Sequence, residues 1–155
     1  MALAHLTQEL AEATGRSPAA VRVLLPGGTM SPSASSREPT TDPQDLARLL
    51  VLRQQRGDAD GMSALYEADA VLVTGDGQTA TGREAIRQFY TVLIAAAAQF
   101  ELGIQRPALI RDDLALTSTV LSDGTVTAEV ARRQPDGSWL WVLDQPSIAR
   151  VRRTD

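Results

Sequence analysis

The amino-acid sequence predicts an α+β fold in which three helices pack in the concave face of a curved antiparallel sheet. In residues 42–99 the apolar residues recur mainly at helical spacing, with one short strand among them. In residues 100–144 apolar and polar residues alternate, as is typical of strands. Asp123-Gly124 and Pro135-Asp136-Gly137 are tight turn signals, and strands joined by so short a turn must be antiparallel. The strands predicted in the second half are Phe100–Ile104, Ala108–Arg111, Leu114–Ser122, Thr125–Gln134 and Ser138–Asp144.

The first two predicted helices are marked by signals at their ends. Asp42 is a good helix cap, Pro43 suits the first helical position, and Gly57 ends this helix. Asp58 begins a short second helix that is expected to end near Tyr66, whose side chain is expected to serve packing. One stripe of the first helix carries Leu46, Leu49, Leu50 and Arg53.

A strand at Ala70–Val73 and a turn at residues 75–77 lead into the third predicted helix. Thr81 and Glu84 have the spacing of a capping box at its start. Tyr90 lies on the apolar stripe of this helix, where its hydroxyl group either contacts a ligand or simply packs in the core. The stripe consists of Ile86, Phe89, Tyr90, Leu93, Ile94 and Ala97.

The chain is expected to form one folded domain with flanking segments. Residues 1–25 form a short helical appendage, and residues 26–41 form a linker rich in Ser, Pro and Gly that buries too little surface to order itself. Residues 42–149 form the α+β domain. Residues 150–155 are an arginine-rich tail.

Composition excludes several classes of function. The net charge of −4 and the pI near 5.0 argue against a nucleic-acid partner, which would need a clustered basic face. There is no Cys, and His5 is the single His, so thiolate catalysis, a Ser–His–Asp triad and a multi-histidine metal site are excluded. No metal ion or cofactor is predicted, and Asp112-Asp113 is interpreted as a solvated turn. No membrane span or signal peptide is predicted, so a cytoplasmic location is expected.

The appendage has a weak helix-turn-helix spacing. The run from Ala11 to Arg22 resembles the end of the DNA-reading region of extracytoplasmic-function sigma factors, some of which carry a C-terminal pocket domain. Arg16 and Arg22 are the only candidate phosphate contacts in it. A remnant of such a region is therefore favoured over DNA binding.

The domain resembles the nuclear-transport-factor-two-like superfamily, which includes ketosteroid isomerases and SnoaL-like polyketide cyclases. Within it, the small SgcJ/EcaC-type proteins are most similar. The resemblance covers about residues 43–148 and implies a cone-shaped, cystatin-like fold with an internal pocket for a hydrophobic small molecule. The matching motifs are Arg56-Gly57-Asp58-Ala59-Asp60, the run from Ala64 to Val73, Thr81-Gly82-Arg83-Glu84-Ala85-Ile86, and Asp136-Gly137-Ser138-Trp139.

The resemblance also allows one known chemistry to be tested. Ketosteroid isomerases use an aspartate base with an oxyanion hole formed by a tyrosine and a protonated aspartic acid. Counting from shared landmarks, those three positions are Thr74, Leu50 and Val126 in this chain. All three functional groups are absent, so an isomerase of that type is excluded.

The same register, with alternation along each strand, assigns side chains to the two faces of the sheet. Trp139, Trp141 and Leu143 would face outward and form an apolar patch, which favours a homodimer through the outer face, the usual assembly in the superfamily. In a register shifted by one residue, the tryptophans would line the pocket and stack on a ligand. The side chains assigned to the pocket face are Ala70, Leu72, Thr74, Val126, Ala128, Val130, Arg132, Leu140, Val142 and Asp144.

Asp144 is the candidate catalytic residue. A carboxyl group in an apolar pocket has a raised pKa because burial disfavours its charged form, and it can then act as an acid or a base. The alternative is a structural carboxylate that pairs with Arg132 or caps a loop near Pro146. The candidate ligand-binding residues are Leu50, Thr74, Tyr90, Val126, Arg132 and Val142.

Three functions remain open from the sequence. The leading hypothesis is a dimeric SnoaL-like pocket protein that binds a hydrophobic, polyketide-like metabolite as an accessory or cyclase-like factor in natural-product biosynthesis. The second is an interaction module without a ligand, whose cavity has collapsed onto Leu50, Leu72, Val126 and Val142. The third is a regulatory domain attached to a DNA-binding remnant.

Overall fold

The computed structural model describes residues 40–151, which form three helices and a curved, open sheet. The helices are α1 (Asp45–Gln55), α2 (Ala59–Ser63) and α3 (Arg83–Ala95). The strands are β1 (Tyr66–Val73), β2 (Thr79–Thr81), β3 (Ile104–Gln105), β4 (Leu109–Arg111), β5 (Leu114–Thr117), β6 (Thr119–Val120), β7 (Thr125–Arg133) and β8 (Trp139–Arg150). The predicted α+β class is confirmed.

The sheet runs in the order β2-β1-β8-β7-β5-β4, and β6 pairs with both β7 and β3. Every pair is antiparallel except β1 with β8, which run parallel. No sequence signal predicts this parallel pair, because turn signals constrain only strands that follow one another directly. The chain between β1 and β8 includes α3 and the rest of the sheet, so nothing forces these two strands to be antiparallel.

The core lies between the helices and the concave face of the sheet. α3 contributes Ile86, Tyr90 and Leu93, and α1 contributes Leu46 and Leu49. The apolar periodicity that predicted both helices therefore also identified their buried faces.

The start of α3 differs from the predicted capping box. Gly82 occupies the cap position with φ of 85°, a backbone conformation that favours glycine, and no side chain caps the helix. Glu84 instead accepts a hydrogen bond from Arg87 at 2.6 Å. Arg83 donates to the Tyr66 carbonyl oxygen at 2.6 and 3.1 Å, and this contact ties the first turn of α3 to the start of β1.

β8 contains a bulge that decides which side chains face the core. Glu129 is paired with Asp144, Val130 with Leu143 and Ala131 with Trp141, so β8 has one extra residue, Val142, between the last two pairs. Residues three apart in a regular strand point to opposite faces, whereas an extra residue returns them to the same face.

The folded region extends slightly beyond its predicted bounds. Thr40, assigned to the linker, is buried; its hydroxyl donates to the Trp139 carbonyl at 2.7 Å, and its carbonyl accepts from the Trp139 N–H at 2.8 Å. The appendage, the linker up to residue 39 and the tail from residue 152 lie outside the described residues. Among residues 40–151, no helix is long and apolar enough to cross a lipid bilayer.

Candidate functional site

A cavity of about 320 Å³ lies between α1 and α3 on one side and β1, β6, β7 and β8 on the other. Loop residues 99–102 and 121–123 complete its wall. Most of the wall is apolar or aromatic, and it includes Leu50, Leu72, Phe89, Phe100, Leu121 and Trp141. The cavity has the concave, mostly apolar character of a small-molecule pocket.

Asp144 is held in this wall by a chain of hydroxyl groups. The Tyr66 hydroxyl donates to Asp144 Oδ2 at 2.5 Å, and the Tyr66 and Tyr90 hydroxyl oxygens lie 2.6 Å apart. The three residues come from β1, β8 and α3, and all are buried. The network joins the first strand, the last strand and the third helix at one point of the cavity.

The environment of Asp144 raises its pKa to about 7. Burial is the main cause, because it disfavours the charged carboxylate, and the nearby Glu129 acts in the same direction. The hydrogen bond from Tyr66 opposes both effects. Burial, followed by the charge of Asp144, raises the pKa of Tyr66 and of Tyr90 well above 10, so both hydroxyl groups keep their protons at neutral pH.

Glu129 is a second carboxyl group in the same wall. It is the direct cross-strand partner of Asp144 and is 8% exposed. The Thr117 hydroxyl donates to Glu129 Oε2 at 2.8 Å, and burial raises the pKa of Glu129 against the effect of its hydrogen bonds. Because like charges in a poorly solvated site disfavour each other, the two carboxyl groups resist being ionised together.

Trp141 contributes an unpaired donor to the cavity wall. The centroid of its ring lies 5.1 Å from the centroid of the Tyr66 ring, and the side chain is 2% exposed. Its indole N–H has no hydrogen-bond partner among the described residues. A buried donor without an acceptor is costly, so a ligand oxygen that reached this group would remove that cost.

Three predicted site residues line the cavity: Leu50, Tyr90 and Asp144. Thr74, Val126, Arg132 and Val142 do not. Thr74 lies beyond the end of β1, and its hydroxyl donates to Asp76 in the following turn. Arg132 is exposed, and its Nη1 lies 3.8 Å from Glu67 Oε2, so the predicted alternative of an Arg132–Asp144 pair is wrong.

The predicted face of β7 is reversed. Thr127 and Glu129 line the cavity, and Ala131 is fully buried, whereas Val126 and Val130 are only half-buried and do not reach the cavity. The assignment rests on a residue count back from Gly137, and a count that is off by one residue exchanges the two faces of a strand. The outer face of this strand is also apolar, so hydrophobicity does not reveal the error. In a strand with two apolar faces, alternation alone does not decide the register.

The predicted outward orientation of the two tryptophans is also wrong. Trp139 and Trp141 are 4% and 2% exposed within the single chain, so they offer no surface to a second copy. The bulge at Val142 is the reason, because it places both Trp141 and Asp144 on the cavity side. Leu143 is 51% exposed on the outer face, as expected. The homodimer itself stays a prediction.

Tyr66 and Glu129 are the residues of the site that sequence reasoning missed. Tyr66 was assigned to the end of the second helix, but it is the first residue of β1. The acidic residue in the middle of an apolar strand was the available signal for Glu129. No local pattern indicated the role of Tyr66, since its partner Asp144 is 78 residues away.

The curved sheet and its helices, closed around a mostly apolar cavity, define a cone-shaped pocket domain. A model of the SnoaL-like domain matches residues 47–154, which is more than half of the chain. The chain therefore belongs to the SnoaL-like domain family, within the nuclear-transport-factor-two-like superfamily, and the predicted resemblance to that superfamily is confirmed. The finer resemblance to SgcJ/EcaC-type proteins stays a prediction.

Solved structures share the fold at low sequence identity. A domain of unknown function with a cystatin-like fold from Nostoc punctiforme is 18% identical, with a TM-score of 0.56 over 68% of this chain and 75% of that one. A protein of unknown function from Mycobacterium tuberculosis is 18% identical, with a TM-score of 0.54 over 70% of each chain. No curated protein matches the sequence significantly. The similarity establishes the fold, and function has to be argued from the cavity.

Proposed function

We propose that the domain binds a small, largely apolar metabolite in the cavity and that Asp144 exchanges a proton with it. The observation that carries this proposal is a buried carboxyl group with a pKa of about 7 in a mostly apolar wall. Such a group is present in both protonation states near neutral pH, so it accepts or donates a proton at little cost. The cavity volume of about 320 Å³ suits a small ligand, since ligand pockets range from about 300 to 1,000 Å³.

The chemistry is best matched by a polyketide-like substrate that contains two carbonyl groups. The Asp144 carboxylate would take a proton from the carbon beside one carbonyl, and the electron pair of that C–H bond would pass to the carbonyl oxygen as an enolate. The enolate carbon would then attack the second carbonyl, and the resulting alkoxide would recover the proton from Asp144. These reaction steps close a ring without an oxidant, a metal ion or a cofactor. They correspond to a cyclase-like role in natural-product biosynthesis.

Two neighbouring groups support this assignment. Tyr66 donates to the Asp144 carboxylate, which stabilises the form that acts as a base. Trp141 supplies an unpaired N–H in the same wall, and a donor of this kind stabilises a developing negative charge on oxygen.

The test is a screen of small aromatic polyketide-like compounds for binding, followed by turnover measurements with Asp144→Asn. We expect compounds that raise the melting temperature, and we expect the variant to bind them while turnover is lost. Asp69→Asn removes the same charge from an exposed part of β1 and serves as the matched control. Full turnover by Asp144→Asn would refute the proton-transfer role, and the absence of any binder would count against the pocket.

The cavity is open, which favours ligand binding over an interaction module whose interior has collapsed. Collapse required Leu50, Leu72, Val126 and Val142 to fill the space. Leu50 and Leu72 instead line an open cavity, and the two valines do not reach it.

We also propose that the domain forms a homodimer through the outer face of the sheet, by residues other than the tryptophans. The cross-strand pairs Leu109 with Leu116, Leu116 with Val130 and Val130 with Leu143 create one apolar row across β4, β5, β7 and β8. Leu109, Leu116 and Leu143 are 70, 47 and 51% exposed. A contiguous exposed apolar row of this kind is typical of a protein–protein contact surface.

A further inference from the structure

The described part of the cavity wall carries acidic residues and no basic residue. Glu101, Asp123, Glu129 and Asp144 all line it, and no arginine of residues 40–151 does. The first two are exposed and the last two are buried, so carboxyl groups extend from the solvent-facing side of the cavity into its interior. The folded domain as a whole carries nine arginines against fifteen acidic residues between positions 42 and 149. Both the local and the overall charge attract cations.

Within residues 40–151, the interior carboxyl groups lack a cationic partner. Among the described residues, no ion pair involves Glu129 or Asp144. Glu129 is hydrogen-bonded by the hydroxyl groups of Thr117 and Thr127, and Asp144 by that of Tyr66. Asp123 differs, since it lies 3.1 Å from Arg150 Nη2. Buried carboxylates are normally paired with a cation, and a pair that is left without one must hold a proton.

Aromatic rings surround the same space. Phe89, Tyr90, Phe100 and Trp141 line the cavity, with Phe89 and Tyr90 centroids 5.5 Å apart and Tyr90 and Phe100 centroids 6.1 Å apart. The faces of aromatic rings carry partial negative charge and attract ammonium groups, most strongly where water is excluded.

Trp141 adds an independent sign that an external molecule completes the site. Its side chain lines the cavity, is 2% exposed, and has an indole N–H without a partner among the described residues. An occupant that supplies an oxygen acceptor would satisfy this donor. The occupant that fits has an apolar body, a cationic group and an oxygen acceptor.

We infer that the metabolite bound in the cavity carries a protonated amine, which sits among the aromatic rings and is neutralised by Glu129 and Asp144. The inference rests on the proposed function, because it specifies the chemical class of that ligand. Binding of the amine would allow both carboxyl groups to ionise and would release protons to solvent. The other titratable groups that face this pair are Tyr66 on β1, Tyr90 on α3, and Glu101 and Asp123 on the loops.

Three probes of one shape test the inference: 3-phenylpropylamine, 3-phenylpropan-1-ol and 3-phenylpropanoic acid. Titration calorimetry at pH 7 should give a Kd for the amine at least about tenfold lower than for the alcohol, and no measurable binding of the acid. Titrations in phosphate and in Tris buffer, which differ in ionisation enthalpy, should show proton release with the amine and none with the alcohol.

A double variant, Glu129→Gln with Asp144→Asn, should reduce the amine-to-alcohol preference to about one while alcohol binding is kept. Asp69→Asn with Asp112→Asn removes the same charge from exposed positions and should keep the preference. Circular dichroism confirms folding of each variant, and Glu129→Gln alone, with a smaller loss of preference, replaces the double variant if that one does not fold.

The outcomes separate the two proposals. Equal or tighter binding of the alcohol would overturn the cationic ligand and leave the apolar pocket intact. A preference for the amine that survives in the double variant would also overturn it, since the carboxyl groups would then not be its cause. If none of the three probes binds, both the cationic ligand and the small-molecule pocket are contradicted.

Discussion

The Tyr66 hydroxyl donates a 2.5 Å hydrogen bond to Asp144 and connects the first strand of the domain with the last. This bond favours the ionised carboxylate, while burial and Glu129 favour the protonated acid. The charge state of the cavity therefore depends on a balance that single substitutions should shift in known directions.

Tyr66→Phe should raise the pKa of Asp144 above its present value of about 7, because it removes the donor that stabilises the carboxylate. The expected loss of stability at pH 8 is about 1.5–3 kcal/mol, the usual range for a hydrogen bond to a charged group. Carboxyl ¹³C chemical shifts followed against pH report the midpoint directly. Tyr90→Phe is the control, since its hydroxyl bonds to Tyr66 and not to the carboxylate; an unchanged midpoint in Tyr66→Phe would contradict the assignment.

Asp144→Asn should make the folded state more stable at neutral pH and should flatten its pH dependence. In the native protein the pKa of Asp144 is about 7, against 3.8 for an ordinary Asp, so between these values the folded state holds a proton that the unfolded state has lost. The contribution of Asp144 to the free energy of unfolding is therefore largest below pH 3.8. It falls by up to about 4 kcal/mol as the pH rises toward 7. Urea unfolding between pH 4 and 8 measures the difference from the native protein.

Asp69→Asn is the charge-matched control in the same urea experiment, because it removes one carboxylate from an exposed part of β1. Groups such as Glu84 and Asp123, whose pKa values are lowered, contribute in the opposite direction. Their contribution is common to all three proteins and cancels in the comparison. If the free energy of unfolding of Asp144→Asn changes with pH as steeply as that of the native protein, the Asp144 carboxyl group is not held protonated.

Leu50→Trp should block the cavity without unfolding the domain. Leu50 is half-buried in the wall, and a larger side chain has the empty volume of about 320 Å³ to occupy. Ligand affinity should fall at least about tenfold, and the melting temperature should hold or rise, because added apolar contacts fill space. Val92→Trp, on the exposed side of α3, should leave affinity unchanged, and retained affinity in Leu50→Trp would place the ligand elsewhere.

Leu116→Arg should convert a homodimer into a monomer. The residue lies in the middle of the outer apolar row, where a charge cannot be buried against a second copy without a large cost. Sedimentation equilibrium at several concentrations measures the mass. Gln78→Arg, in the exposed turn after β1, should not change it. A native protein that is monomeric at all concentrations would dismiss the dimer.

The sequence predicts features that depend on neighbouring residues well. It predicts features that depend on which strands pair with each other poorly. The stripes of α1 and α3 and the turn at Asp123-Gly124 were sufficient for the fold class, because each is set by a few neighbouring residues. Asp144 is predicted on the pocket face by alternation along the last strand, and it does line the cavity, whereas Leu140 and Val142 of the same prediction do not.

The faces of β7 and β8 were not found. Val142 carries no sign that it is the extra residue of a bulge, since bulges are defined by the partner strand. The count from Gly137 predicts Val126 and Val130 in the pocket and therefore Glu129 on the outer face, yet Val130 belongs to the apolar row of the outer surface. When both faces of a sheet are apolar, hydrophobicity alone does not show which side chains of a strand face the core.

The parallel pairing of β1 with β8 has a consequence for how the protein forms. Residues 66 and 144 come together only after every intervening element has been synthesised, so the contact order of the site is high and its assembly is a late event. A nascent chain that has emerged only as far as residue 138 lacks the strand that carries Asp144 and Trp141, and it exposes the apolar surface of α1 and α3. The wall of the proposed ligand site is complete only when the strand that carries Trp141 and Asp144 has docked.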